Sequence, residues 1–222
     1  VQIAVPLPRR CFVFGSKPAE MVTPDQALPG RDTPIAVQQP HAVHGRPIVP
    51  PWPEGHELAV VGMGCFWGAE RLYWSLPGVY TTFVGYAGGY TPNPTYREVC
   101  SGRTGHAEVA GIVYDPAVID YDGLLGPFWE NHDPTQLHRQ GNDIGTQYRS
   151  CLLVTGTDQR AIARDSLSRY QAKLTENGFG QIRTQIEDLG EVYWAEVEHQ
   201  QYLHEHPGGY CNHGFCQVAY SD

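Results

Sequence analysis

From about residue 57 onward, apolar and polar positions fall into two alternating periods. Leu58-Ala59-Val60-Val61 is a short continuous apolar run bounded by glycines, the pattern of a buried strand. Gly62-Met63-Gly64 turns the chain. From 65 to 76 the apolar residues Phe66, Ala69, Leu72, Tyr73 and Leu76 recur at helical spacing, and Pro77-Gly78 stops the helix. Residues 79–84 read as a second strand and 87–94 as a long loop. Residues 106–114 alternate and read as a third strand, with Ala107, Val109 and Val113 on one face and Glu108, Ile112 and Tyr114 on the other. Residues 122–129 read as a helix and 131–147 as polar and irregular. Leu152-Leu153-Val154 is another buried strand. Thr157 is the expected cap of a helix striped by Ala163, Leu167, Tyr170 and Leu174, with Asn177-Gly178 as its stop. An edge strand over 181–186 and a short helix over 196–204 follow. Strands and helices mix without strict β-α-β order, so the expected class is α+β, a two-layer sandwich with a mixed sheet packed by helices.

The ends differ from this middle. Residues 1–54 carry prolines from Pro6 to Pro53, and each fixes φ and removes a donor. They read as an extended N-terminal arm packed on the domain, with Phe12, Val13 and Phe14 as its apolar contacts. Residues 55–206 form the α+β domain, and 207–222 a flexible tail rich in glycine. The whole is one domain.

Composition narrows the function. With 15 Lys and Arg against 24 Asp and Glu, the net charge is −9, a poor match for phosphate backbones, so no nucleic acid is expected as partner. No apolar run is long enough to span a membrane. A chain of 222 residues buries roughly 70% of its unfolded surface and needs no disulfide scaffold. The six cysteines are Cys11, Cys65, Cys100, Cys151, Cys211 and Cys216, without a CxxC pair, which argues against a zinc ribbon or a thioredoxin-type redox pair. No apolar region follows Arg9 and Arg10, so no signal peptide is read, and a cytoplasmic location with reduced thiols is expected.

Cys65 stands where a strand turns into a helix. Unpaired amides and the positive end of the helix dipole would favour a thiolate there, with a depressed pKa; the other reading is a buried, inert thiol. Of Phe66 and Trp67, about 100° apart on the helix, one ring is expected in the core and the other at a pocket. Cys211 and Cys216 sit on the glycine-rich tail and could reach another sulfur or close on each other. They could also join His199, His204, His206 and His213 at zinc, although the spacing fits no standard zinc module. A Cys-His hydrolase, with His106 or His132 as base to Cys65, is a further reading, but it leaves the tail cysteines without a use.

Gly64-Cys65-Phe66-Trp67-Gly68-Ala69-Glu70 resembles the signature of the A-type peptide methionine sulfoxide reductases. The resemblance continues, in order, through Gly85-Tyr86-Ala87-Gly88-Gly89-Tyr90, Tyr96-Arg97-Glu98-Val99, Gly105-His106-Ala107-Glu108, Phe128-Trp129-Glu130-Asn131-His132-Asp133-Pro134, the stretch 141–150 and His199-Gln200-Gln201-Tyr202-Leu203. It covers 57–206, and the tail resembles the longer bacterial form. It implies a ferredoxin-like core and reduction of methionine S-sulfoxide, free or in peptides and proteins, as repair of oxidative damage. Cys65 matches the nucleophile that becomes a sulfenic acid, and Glu108 the carboxylic acid beside it. Tyr96 and Tyr148 match the tyrosines that hydrogen-bond the sulfoxide oxygen, and Asp143 a polar residue that orders the site. Phe66 and Trp67 match the wall around the ε-methyl group. Cys211 and then Cys216 would resolve the sulfenic acid, with thioredoxin as final reductant; Cys11, Cys100 and Cys151 are read as structural thiols. No metal or organic cofactor is implied, and a monomer is expected.

Overall fold

The apolar runs of the sequence meet in one six-stranded sheet. The computed structural model describes residues 20–37, 39–214 and 218–221; Cys11, the Phe12-Val13-Phe14 cluster and Cys216 lie outside them. In chain order the elements are Glu57–Met63 (β1), Phe66–Tyr73 (α1), Val79–Ala87 (β2), Tyr96–Cys100 (α2), Ala107–Tyr114 (β3) and Tyr121–Glu130 (α3). Then come the two-residue strands Arg139–Gln140 (β4) and Asp143–Ile144 (β5), followed by Ser150–Val154 (β6) and Thr157–Glu176 (α4). Gln185–Asp188 (β7), Val192–Trp194 (β8) and Tyr202–Glu205 (α5) complete the order.

The sheet order is β7-β6-β1-β3-β2-β8. β1 and β2 both pair antiparallel with β3, so they run parallel to each other, and α1 makes the crossover between them. β6 pairs antiparallel with β1, and β7 adds a parallel edge to β6. The central order β6-β1-β3-β2, with α1 and α3 in the two crossovers, is the split β-α-β arrangement of a ferredoxin-like core. The fold is α+β, as the mixed pattern implies.

Two local expectations need correction, and one element lies outside all of them. Thr157 is the first residue of α4, and Gly156 is its cap without a side-chain bond. The helix expected over 196–204 is broken in two: a 3-10 turn Val197–His199, then α5, separated where Gln201 takes φ 48°. α2, beyond the expected loop, is too short for periodicity to reveal; its sequence signal is the reciprocal pair of Thr95 and Glu98 at its start.

Both faces of the sheet are covered, so β3 is buried at all of its positions. On one face Ala59, Val61, Met63, Ala110 and Ile112 meet Tyr73, Phe128, Trp129 and Tyr170 from the helices. On the other, Val37 and Ile48 pack on Phe83, with Trp52 stacked on its ring and Trp194 Nε1 donating to the Ile48 carbonyl at 3.3 Å. Among the described residues no helix is long and apolar enough to cross a membrane.

Three buried histidines are locked in their neutral form. His41 Nδ1 accepts the amides of Val43 and His44 while Nε2 meets Thr82 Oγ1 at 2.8 Å. His106 Nδ1 accepts the Gly89 amide, and its Nε2 meets the Thr91 carbonyl. His132 lies between the Phe128 carbonyl and Ser150 Oγ. Burial lowers their pKa values to about 3 for His41 and His132 and about 4 for His106. Unfolded, each titrates near ~6.5, so the folded state binds fewer protons below that pH and stability is lost as pH falls from there. Glu70 has the opposite sign: burial raises it to about 7, so its cost is relieved as pH falls. Burial lowers His199 and His213 to about 4 as well, so five histidines outweigh one carboxylate. At about 2 kcal/mol each between pH 7 and 5, the net loss is expected to be roughly 8 kcal/mol. Urea unfolding at the two pH values measures it; an unchanged midpoint would refute the assignment.

Candidate active site

β1 hands the chain to α1 through Gly64, whose φ of +101° lies in the left-handed region that favours glycine. A Cβ there would also stand 2.8 Å from the Gln140 side chain. This turn makes Cys65 the N-cap of α1. The backbone amides of Trp67 and Gly68 donate to its sulfur, as expected for the start of a helix. The pKa nonetheless moves the other way: burial, followed by the Glu108 charge, raises Cys65 well above its ordinary value. The expected depression is therefore corrected. Cys65 is only 6% exposed, and the amides do not offset the loss of water and a nearby carboxylate.

Glu108 lies on the helix-covered face of β3, opposite Tyr86 of β2, and is 1% exposed. Its Oε2 accepts the Phe66 amide at 3.1 Å, tying the carboxyl group to the residue next to Cys65. Tyr96 opens α2, and its amide donates to Glu196 Oε1 at 2.8 Å. Tyr148 ends the 3-10 turn Thr146–Tyr148. Burial first, and then the Glu108 charge, push both phenols up, with Cys65 and Asp143 adding to the effect. The two rings thus share one electrostatic neighbourhood with those three groups and keep their O–H protons.

Phe66 and Trp67 do not split between core and pocket. Both join the buried cluster that contains Cys65. Phe66 stacks on Tyr96 at 6.2 Å and lies 5.5 Å from the His199 ring. Trp67 stacks on Tyr202 at 4.0 Å and donates from Nε1 to His199 Nδ1 at 3.3 Å. α1 is flanked by β2 on one side and α5 on the other, so both directions from its first turn are filled. His199, a possible zinc ligand on sequence grounds, and Tyr202 thus form part of the aromatic wall. Their placement depends on Gln201, whose amide and Nε2 donate to the buried Glu70 carboxylate at 2.9 and 2.7 Å. Gln200 pairs its side-chain amide with both backbone groups of Val84 and so holds the segment to β2.

The tail crosses this cluster. Tyr210 Oη and Asn212 Nδ2 each donate to Asp143 Oδ2 at 3.0 Å. His213 Nε2 meets the Met63 carbonyl at 2.7 Å. Cys211 is half-buried, carries a free thiol, and packs beside the cluster of Cys65, Phe66 and Trp67. Cys216 lies outside the described residues. Cys151 is a buried free thiol opposite Gly62. Cys100, expected as a structural thiol, is disulfide-bonded.

The competing readings gain no geometry. His106 and His132 are both committed to backbone and hydroxyl partners through both ring nitrogens. His199 faces the rings of Phe66 and Trp67, His206 packs on Tyr202, and His213 caps Met63. Among the described residues no group of three His, Cys, Asp or Glu could hold a metal ion.

A thiol on helix amides beside a buried carboxyl, two protonated phenols and an aromatic wall suits attack on a small, polar sulfur–oxygen bond. Residues 57–219 match the family model described as peptide methionine sulfoxide reductase. The chain belongs to this family. The peptide methionine sulfoxide reductase of Salinispora tropica is 59% identical over 198 residues, covering 88% of this chain and 90% of the relative. The solved methionine sulfoxide reductase A of Corynebacterium diphtheriae is 47% identical with a TM-score of 0.81, over 90% of this chain and 97% of that one. Mxr1 from Saccharomyces cerevisiae, solved in a reduced form, is 34% identical with a TM-score of 0.68, over 75% of this chain and 95% of its own. Mxr1 is also solved in complex with Trx2. The peptide methionine sulfoxide reductase match starts at the first residue of β1 and continues past Cys211 and Cys216, so it includes the tail as well as the sheet. The protein is accordingly an oxidoreductase that reduces peptide methionine sulfoxide.

Proposed function

We propose that Cys65 attacks the sulfur of methionine S-sulfoxide, free or within a protein, while Glu108 delivers a proton to its oxygen. The S–O bond breaks, methionine leaves, and Cys65 becomes a sulfenic acid. The sulfoxide sulfur gains two electrons and the Cys65 sulfur loses two; the thiol proton ends on the transferred oxygen. Tyr96 and Tyr148 donate hydrogen bonds to that oxygen, Phe66 and Trp67 enclose the ε-methyl group, and Asp143 orders the polar side of the site. The observation that carries this reading is the Glu108 carboxyl, 1% exposed and 3.1 Å from the Phe66 amide, next to a sulfur held by the amides of Trp67 and Gly68.

Burial and Glu108 keep the resting Cys65 protonated. Protonating Glu108 removes the second of those causes, and the electron-poor sulfoxide sulfur favours the thiolate. Activation therefore coincides with substrate entry rather than preceding it.

Cys211 then displaces hydroxide from Cys65 as water, forming a disulfide, and Cys216 attacks Cys211 to free Cys65. Thioredoxin is the proposed reductant of the final disulfide, supported by the complex of the yeast relative with Trx2. The enzyme is proposed to act as a cytoplasmic monomer in repair of oxidative damage. Incubation with resolved sulfoxide epimers and dithiothreitol tests the reading: methionine should appear from the S epimer and not from the R epimer. Equal reduction of both, or of neither, would sink it.

A further inference from the structure

We propose that Arg71 is a positioning residue for the second chemical step, holding the Cys211 sulfur against α1 for attack on oxidised Cys65. The inference deepens the mechanism above and rests on Cys211 being the resolving thiol. Arg71 Nη2 stands 3.0 Å from Cys211 Sγ. Among the described residues the guanidinium makes no ion pair, so no carboxylate competes for this contact. Cys65, Gly68 and Arg71 follow one another at three-residue intervals from the start of α1 and lie on neighbouring turns of one side of the helix.

The groove along that side is made by an absence. A Cβ at Gly68 would lie 2.8 Å from Cys211 Sγ and would overlap the His213 ring. The tail is therefore seated on bare helix backbone, one turn beyond the nucleophile. The neighbours of Cys211 are bonded to distant parts of the chain: Tyr210 and Asn212 to Asp143, Asn212 also to the Gln140 carbonyl, and His213 to the Met63 carbonyl. These fix the backbone on both sides of Cys211, whose thiol donates a long contact of its own, to the His213 carbonyl at 3.9 Å. Arg71 supplies the contact that selects one direction for the sulfur, and a guanidinium is suited to it because its fork is planar and permanently charged.

The step it serves balances simply. Cys211 as thiolate attacks the Cys65 sulfur, the S–O bond of the sulfenic acid breaks, and the oxygen leaves as water with one proton. Cys65 is reduced and Cys211 oxidised as the new S–S bond forms. Nothing in this step changes the first one, which precedes any contact between the two sulfurs. Arg71 is exposed, so its replacement leaves the core intact.

Rapid quench with one equivalent of methionine S-sulfoxide, in a Cys216→Ser background, separates the steps. Methionine release reports the first, and the Cys65–Cys211 disulfide, read by peptide mass spectrometry, reports the second. Arg71→Met is expected to release methionine at the parent rate and to form the disulfide roughly fivefold more slowly, the size expected of one partly exposed charged contact. Sulfenic acid trapped by dimedone should rise in step, and Arg71→Lys should recover part of the loss. An unchanged disulfide rate in Arg71→Met would overturn the inference, and so would a methionine burst slowed by the same factor. Failure of the underlying reading is scored separately: Cys211→Ser, with Arg71 intact, recycled by thioredoxin at the parent rate would show that Cys211 is not the resolving thiol.

Discussion

Cys65→Ser is expected to form no detectable methionine from either sulfoxide epimer, with dithiothreitol or with thioredoxin. The loss is complete rather than partial for a chemical reason. An oxygen nucleophile would have to end as an O–OH group, and the weak O–O bond makes that product inaccessible. The fold should be untouched, because serine is a preferred N-cap and its hydroxyl can accept the same amides of Trp67 and Gly68. The thermal midpoint should therefore stay within about 2 °C of the parent. Chromatographic assay of methionine, paired with a melting curve, checks both halves. Appreciable turnover by a folded Cys65→Ser protein would remove the proposed nucleophile.

The elements that carry Cys65 and Glu108 were legible because both patterns are local. A glycine-bounded apolar run, a helical stripe and an alternating strand can each be seen within a ten-residue window. The alternation in 106–114 put Glu108 on the face of Ile112 and Tyr114, and β3 keeps that assignment. What could not be read is whatever depends on chain segments meeting from far away. The wall of Tyr202 and His199 is built by residues more than 130 positions after Trp67 and held by Glu70 through Gln201. No periodicity in 196–205 announces a chain bent at a left-handed glutamine.

The sign of the Cys65 shift failed for the same reason. Helix-start amides are visible in a sequence, and they do bind the sulfur. Burial and the approach of Glu108 belong to the tertiary structure, and together they outweigh two amides. The core-and-pocket divergence expected for Phe66 and Trp67 likewise took no account of β2 and α5, which pack against α1, and both rings join one buried cluster.

Glu108→Gln is expected to separate the reactivity of Cys65 from catalysis. The amide is isosteric and its oxygen can still accept the Phe66 N–H, so the start of α1 is preserved. The variant can neither release nor regain a proton at the sulfoxide oxygen, and methionine formation should fall by about 10²–10⁴-fold, the range typical of a lost general acid. The effect should lie in kcat rather than KM, because the aromatic wall of Phe66 and Trp67 is unaltered. Cys65 itself should respond in the opposite sense. Glu108 is the second of the causes that raise its pKa, and removing that charge favours the thiolate. Alkylation of Cys65 by iodoacetamide, followed against pH, should therefore shift to lower pH in the variant while turnover collapses. A general loss of structure would depress turnover but gives no reason for a shift of this sign. If alkylation and turnover fell together, the carboxyl group would be a scaffold for the helix and not the acid of the reaction.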